Sequence, residues 1–261
     1  MNSRPSIYSG LYAPSGGRSD HTWVGRALIR QLEWCGERGI DYRFVASTMH
    51  PWASYATYPN SWTFGTMVKF MALKDFLSNP KGGDRFSWMD LDVYPEDNAR
   101  LEDLTDLGEN VLAAPATPPT FCGYPGLYPA HLHMFCKLLW TGLHDQPNYL
   151  ALSSGMFTLS RAAAGALWGW LNRKHLIDTQ PWWDEYAAKQ LTCAEHARRL
   201  GHTVDPFMFG SEEALLEDWL NSTGTMFTQF GFNIHGLCDS RQKHKFTHYY
   251  GGLKALYPVN H

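Results

Sequence analysis

No C-x-x-C pair and no zinc-type spacing occurs among the five cysteines, Cys35, Cys122, Cys136, Cys193 and Cys238. An odd number of scattered thiols argues against a disulfide-stapled scaffold and suggests reduced, mostly buried cysteines in a cytoplasmic protein. Charge of one sign is missing too: 22 Lys and Arg face 25 Asp and Glu, a net charge of -3, so no global field draws nucleic acid or an anionic membrane. The run Arg241-Gln242-Lys243-His244-Lys245 is the one candidate for a local basic patch, and an ordinary solvated loop is the favoured reading of it. No stretch of eighteen apolar residues exists, and Met1 to Ser6 leads into no apolar signal segment. Neither a membrane-spanning helix nor a secretory leader is expected, while peripheral attachment stays open. Repeats, low-complexity tracts and a clean domain boundary are also missing. The 261 residues are therefore expected to form one large α/β domain with insertions, with no obligate protein partner indicated.

Aromatic residues are plentiful, with 11 Trp and 13 Tyr. Most belong in a core or a groove, and their number identifies no substrate.

Strand patterns at Ser6 to Tyr12 and Asp41 to Ser47 flank a helix predicted over Thr22 to Arg38, with Asp20 or Thr22 near its cap and Gly39 as its stop. Gly16-Gly17 reads as a further turn. Met49 to Ser61, aromatic and proline-bearing, reads as a loop over a cleft. Apolar residues at Met67, Phe70, Met71, Leu73, Phe76 and Leu77 have helical spacing over 66–77, ended by Asn79-Pro80-Lys81-Gly82-Gly83-Asp84. Further on come a short strand at Asn110 to Ala114 and an irregular segment, Pro115 to Pro129, with five prolines and two glycines. A helix over His131 to Leu143 precedes strands at Tyr149 to Ser154 and Met156 to Leu159. Helices follow over Arg161 to Leu171, Trp182 to Leu200 and Glu212 to Leu220. From Phe246 onward the chain reads as irregular. Alternating strands and helices point to an α/β domain.

The segment Phe86-Ser87-Trp88-Met89-Asp90-Leu91-Asp92-Val93-Tyr94 ends an apolar stretch on two carboxylates one residue apart. Strand alternation would send Asp90 and Asp92 to one side and Met89 and Leu91 to the packed side. Carboxylates at the carboxyl end of a strand are where an α/β enzyme holds a divalent cation against a diphosphate.

In order along the chain, three patterns resemble the metal-dependent, nucleotide-sugar-using glycosyltransferases of the GT-A fold, the retaining families in particular. The Lys-bearing helix Met67 to Leu77 runs into Trp88-Met89-Asp90-Leu91-Asp92, similar to the family's helix, strand and DxD motif. Ser153-Ser154-Gly155-Met156-Phe157 is similar to its asparagine-serine-glycine strand, with serine in place of asparagine. His248-Tyr249-Tyr250-Gly251-Gly252-Leu253-Lys254 matches its late H-x-x-G-x-x-K pattern. One DxD alone is weak; this order of motifs, spanning Ile7 to Lys254, is stronger.

The resemblance implies a Rossmann-like mixed-sheet GT-A fold over residues 1–261, with insertions on the acceptor side. It implies Mn²⁺ or Mg²⁺ on Asp90, Asp92 and His248, and diphosphate contacts from the Gly251 backbone and the Lys254 ammonium. Tyr8, Ser9, Gly10 and Tyr12 occupy the region that meets the donor nucleoside, and core filling accounts for either tyrosine equally well. Lys69 lies where relatives place a basic residue near the donor or the first aspartate, and a purely structural salt bridge is its competing role. Ser154 belongs to the donor side. Ser211-Glu212-Glu213 resembles the acidic motif that faces the sugar, departing from the commoner Asp-Gln-Asp; a favourable helix start accounts for the same residues. Glu212 and Glu213, with Asp92, are the catalytic candidates. Trp182-Trp183 and the Phe121 to Tyr128 loop are acceptor-wall candidates, or simply packed.

The function implied is transfer of a hexose or pentose from a nucleoside-diphosphate sugar, a UDP-sugar by preference, to a hydroxyl acceptor with retention. A glycan or lipid-linked saccharide is the broad expectation for the acceptor, and hydroxymethylated DNA a specific alternative. A non-catalytic nucleotide-sugar-binding or protein-interaction domain and a metal-dependent phosphohydrolase are the other classes.

Overall fold

The computed structural model describes residues 5–12, 22–47, 61–105, 111–114, 152–175, 180–201, 211–230 and 245–249. The first half alternates strand and helix: β1 (Pro5–Tyr12), α1 (Thr22–Glu37), β2 (Asp41–Ser47), α2 (Ser61–Ser78), β3 (Arg85–Met89), β4 (Val93–Pro95) and α3 (Glu102–Thr105). The second half contains β5 (Val111–Ala114), β6 (Met156–Ser160) and α4 (Arg161–Trp170), which runs on as a π-helical turn over Leu171–His175. It continues with α5 (Gln180–Arg199), α6 (Ser211–Thr223), β7 (Met226–Gln229) and β8 (Phe246–His248).

Helix α1 ends as expected at Gly39, whose φ of +63° is a left-handed conformation that glycine adopts without a Cβ clash. The stop after α2 is held from a distance. The Arg161 guanidinium donates to the carbonyls of Phe76, Asn79 and Gly83 and lies over the Phe76 ring, tying the end of α2 to the start of α4.

Six strands form one sheet in the order β2-β1-β3-β6-β5-β7. Strand β1 is parallel to both β2 and β3, β6 is antiparallel to β3 and β5, and β7 is parallel to β5. The mixed α/β class and the Rossmann-like mixed sheet expected from the sequence are therefore present.

Alternate residues along each strand enter two separate cores. Tyr8, Phe86, Trp88, Phe157, Leu159, Leu112 and Ala114 pack on the side of α2, α4 and α6 with Phe70, Phe76, Leu167 and Trp219. Ile7, Met89, Met156 and Ala113 pack on the other side with Trp34 and Cys35 of α1 and with Val93 and Phe246. A sheet buried on both faces needs apolar or hydrogen-bonded residues at every position, which is why all five residues of β3 are buried. Cys35 and Cys193 are buried free thiols, as expected; burial pushes the Cys35 thiol up to about 12, against a small opposing pull from Arg38.

Three elements depart from the sequence reading. The tail from Phe246 is expected to be irregular, but its first three residues, Phe246–His248, form β8, which pairs antiparallel with β4 in a separate two-stranded sheet. The strand expected over Tyr149 to Ser154 is, among the described residues, a single bridge at Leu152. Helix α2 starts at Ser61, five residues ahead of Thr66. Strands β4 and β7 and helix α3 carry no signal of their own in the sequence.

Outside the described residues lie Gly16-Gly17, the rest of the Met49 segment, Phe121 to Tyr128, the 131–143 helix, Cys122, Cys136 and Cys238, and Arg241 to His244. Among the described residues no helix is long and apolar enough to cross a membrane.

Candidate metal centre

Strand β3 ends at Met89, and the chain turns at once. The Asp90 N–H donates to the Gly155 carbonyl at 2.7 Å, and the Val93 N–H returns to the Asp90 carbonyl at 2.9 Å, closing a four-residue turn from Asp90 to Val93. Met89 and Leu91 are buried, as alternation requires. The two carboxylates, however, converge through this turn and not through strand alternation, because the strand has already ended.

The third member of the cluster arrives from the far end of the chain. Val93 sits opposite His248 in the β4–β8 ladder, and the Tyr249 N–H donates to the Asp92 carbonyl at 2.8 Å. His248 Nε2 thereby lies 3.1 Å from Asp92 Oδ1 and 3.9 Å from Asp90 Oδ2. One ligand atom from each of Asp90, Asp92 and His248 falls within 4.8 Å of the other two. Ligands around one Mn²⁺ or Mg²⁺, each at about 2.1 Å, sit about 3–4 Å apart, so the spacing suits a single ion. The donor set suits it as well: two hard carboxylates and one imidazole fit Mn²⁺ or Mg²⁺ better than a soft metal. Side-chain exposure of 24% at Asp90, against 11% at Asp92 and 8% at His248, opens the cluster to solvent chiefly through Asp90.

Asp90 is held from two further directions. The Trp88 indole N–H donates to its Oδ1 at 2.5 Å, and Lys69 Nζ lies 3.4 Å from the same oxygen. Burial pushes the Asp90 carboxyl above its ordinary range; Lys69, His248 and the indole pull it back, while Asp92 adds to the rise. Lys69 is itself 4% exposed. Burial disfavours its ammonium, but Asp90, Glu212 and Glu213 outweigh that cost and hold its pKa above the usual lysine value. Its remaining contacts are the Ser154 carbonyl at 3.1 Å, Ser154 Oγ at 2.8 Å and Glu212 Oε1 at 3.2 Å.

Helix α6 supplies the acids around Ser154. Glu212 Oε1 accepts the Ser154 hydroxyl at 2.9 Å, Glu213 Oε1 accepts the Ser154 N–H at 2.9 Å, and Glu217 Oε1 accepts the Leu152 N–H at 3.0 Å. Glu212 and Glu213 stand in the first turn of α6, where negative charge also complements the helix dipole. The two sequence readings of these residues, helix start and site acid, are thus compatible. Glu212 Oε2 is buried without a hydrogen-bond partner among the described residues.

The structure brings together Lys69, Asp90, Asp92, Ser154, Glu212, Glu213 and His248. Tyr8 is not in this group: its ring packs on Phe86 and Phe76, and its hydroxyl donates to Asp75 at 2.9 Å. Ser9 is buried in β1. Gly10 serves packing, since a Cβ there would lie 2.8 Å from the Val45 carbonyl oxygen and 3.1 Å from the Trp88 ring. Gly10→Ala is expected to destabilise the fold by about 1–3 kcal/mol, the usual range for overpacking; urea denaturation with a loss under about 0.5 kcal/mol would show that β2 yields freely. Tyr12 ends β1 opposite Ser47, but its side chain, those of Trp182, Trp183 and Ser211, and the whole of Gly251 and Lys254 lie outside the described residues.

Three participants were missed by sequence reasoning. Trp88 stands two residues before Asp90, a same-face spacing that was legible. Gln31, whose buried amide lies 2.9 Å from the Asp90 carbonyl, and Glu217, which accepts from the Leu152 N–H, make their contacts far along the chain and carry no local signal.

No family profile and no curated protein sequence matches the chain. Among solved structures, it is similar to a glycosyltransferase involved in glycosylation of the major capsid of PBCV-1, with 13% identity, 97% of this chain and 96% of that one covered, and a TM-score of 0.48. It is also similar to mouse xyloside xylosyltransferase 1, at 11% identity, 98% and 100% coverage and a TM-score of 0.46. A further similar structure is the galactosyltransferase LgtC with donor and acceptor sugar analogues, at 12% identity, 95% and 87% coverage and a TM-score of 0.48. At these identities and TM-scores, any account of the chemistry has to come from the side chains.

Proposed function

We propose that the protein is a metal-dependent glycosyltransferase, a single catalytic unit that moves a hexose or pentose from a nucleoside-diphosphate sugar, by preference a UDP-sugar, to a hydroxyl acceptor. The observation that carries this reading is the convergence of Asp90, Asp92 and His248 within 4.8 Å, drawn from two segments that hold the DxD and H-x-x-G-x-x-K patterns.

A divalent cation bound by these three residues would neutralise the diphosphate as it departs. Lys69 and the Trp88 indole hold the Asp90 carboxyl in place beside it and favour its charged form. The Lys254 ammonium and the Gly251 amide are proposed to meet the same diphosphate. Glu212 Oε2, buried with no hydrogen-bond partner among the described residues, supports a role in accepting a hydrogen bond from a donor-sugar hydroxyl, with Glu213 fixing the Ser154 backbone next to it. In the step itself the bond from the anomeric carbon to the diphosphate oxygen breaks and a bond to the acceptor oxygen forms. The acceptor proton passes to the leaving phosphate on the same face, giving retention without a protein nucleophile. A saccharide is the favoured acceptor.

Incubation with a panel of nucleotide sugars, with Mn²⁺ or with EDTA, tests this reading through mass-resolved chromatography of the products. Release of a nucleoside diphosphate from one donor, lost with chelator and restored by Mn²⁺, is the expected result, with an unchanged anomeric configuration by NMR. Intact sugar phosphate as product would select phosphohydrolysis. Silence across the panel, with glycan and hydroxymethylated-DNA acceptors present, would select a non-catalytic domain.

A further inference from the structure

We propose that Gln31, on α1, is a positioning residue that sets the affinity of the Asp90–Asp92 turn for its divalent cation without touching it, an inference that rests on the metal-dependent reading above. Gln31 is fully buried at 0% exposure. Its Nε2 lies 2.9 Å from the Asp90 carbonyl, 2.9 Å from the Val93 carbonyl and 3.4 Å from the Leu91 carbonyl. The Tyr42 hydroxyl donates to Gln31 Oε1 at 2.8 Å. Carbonyl oxygens only accept, so the amide NH₂ must face the turn, and the phenol must then donate to the amide oxygen.

The result is a directed chain from β2 through α1 to the turn. Its effect is geometric. The fourth carbonyl of the turn, that of Asp92, accepts from Tyr249, so with Gln31 in place every peptide plane flanking the two carboxylates is tied down. An unfixed turn would let the like-charged side chains of Asp90 and Asp92 swing apart. Outer hydrogen bonds of this kind typically govern metal affinity by about 10- to 100-fold.

A purely structural role would lower stability and leave metal affinity alone, and the two are separable. The dissociation constant for Mn²⁺ is read from the EPR signal of the free ion, beside the melting temperature of the metal-free protein. Wild type is compared with Gln31→Met, Tyr42→Phe and the control Ser87→Ala. Ser87 bonds Thr158 between β3 and β6, away from the turn. Gln31→Met is expected to weaken Mn²⁺ binding about 10- to 100-fold. Tyr42→Phe, which keeps the amide but removes what orients it, is expected to weaken it several-fold, and it carries the test alone if Gln31→Met fails to fold. Ser87→Ala is expected to lower the melting temperature with Mn²⁺ affinity within about twofold of wild type, the reproducibility of such a titration. Mn²⁺ affinity unchanged in Gln31→Met, or in Tyr42→Phe where only that variant folds, overturns the positioning role and leaves the metal centre standing. Wild type that binds no Mn²⁺ overturns both.

Discussion

Nucleoside-diphosphate release by the Asp92→Asn protein is expected to fall by about two to three orders of magnitude, the usual cost of losing one electrostatic contact to a developing negative charge. Its metal-free melting temperature is expected to match or exceed that of wild type. Asparagine has the shape of aspartate and still offers a side-chain oxygen to His248 Nε2, 3.1 Å from Oδ1 in the wild type. The backbone bond from Tyr249 to the residue 92 carbonyl is untouched. What disappears is a negative charge that helps push the Asp90 carboxyl upward. A neighbour that pushes the carboxyl upward makes its charged form costlier in the folded protein, so removing that neighbour relieves the fold. Activity and stability are therefore expected to move in opposite directions, a pattern of functional sites. Initial rates at saturating donor and Mn²⁺, beside calorimetry without metal, read both. Activity within about tenfold of wild type would remove Asp92 from the metal centre, since one lost transition-state contact costs more than that.

Lys69→Met is expected to be the most destabilising single change near the site, at about 3–5 kcal/mol, the range for breaking a buried ion pair on one side. The ammonium is nearly inaccessible and is shared by Glu212, Asp90 and both oxygens of Ser154. Methionine fills the volume and leaves Glu212 a buried carboxylate whose hydrogen bond, among the described residues, comes from the Ser154 hydroxyl. The double variant Lys69→Met with Glu212→Gln removes that stranded charge and is expected to recover at least about 1 kcal/mol of the loss, a coupling typical of residues in direct contact. Urea denaturation of the four proteins gives the cycle. A single-variant loss below about 1 kcal/mol would place the pair in the weak class of solvated ion pairs, against its burial.

The strands and helices that were legible in the sequence are those whose reasons are local. Gly39 marks the end of α1, and the apolar stretch that stops at the paired aspartates marks β3. The Asp90–Asp92 pair was legible as a pair, but its shape was not, because the turn depends on the Gly155 carbonyl and on Gln31, both far away along the chain. His248 was legible only through its motif. Its strand was not, since Phe246–His248 is three residues long and takes its extended form from Val93–Pro95. Glu212 and Glu213 read as a helix start because they are one; their grip on Ser154 is tertiary.

The β4–β8 ladder also sets the order in which the centre can come into being. A chain growing from its N-terminus carries Asp90 and Asp92 through the whole interval in which residues 93–247 are added, and in that interval two neighbouring carboxylates have no imidazole beside them. Only when Phe246–His248 lies down on Val93–Pro95 does the third ligand arrive, together with the Tyr249 amide that bonds the Asp92 carbonyl. A cation held by all three residues would therefore be captured late in synthesis, and an interrupted chain that stops short of β8 lacks one of the three candidate ligands whatever the state of its large sheet.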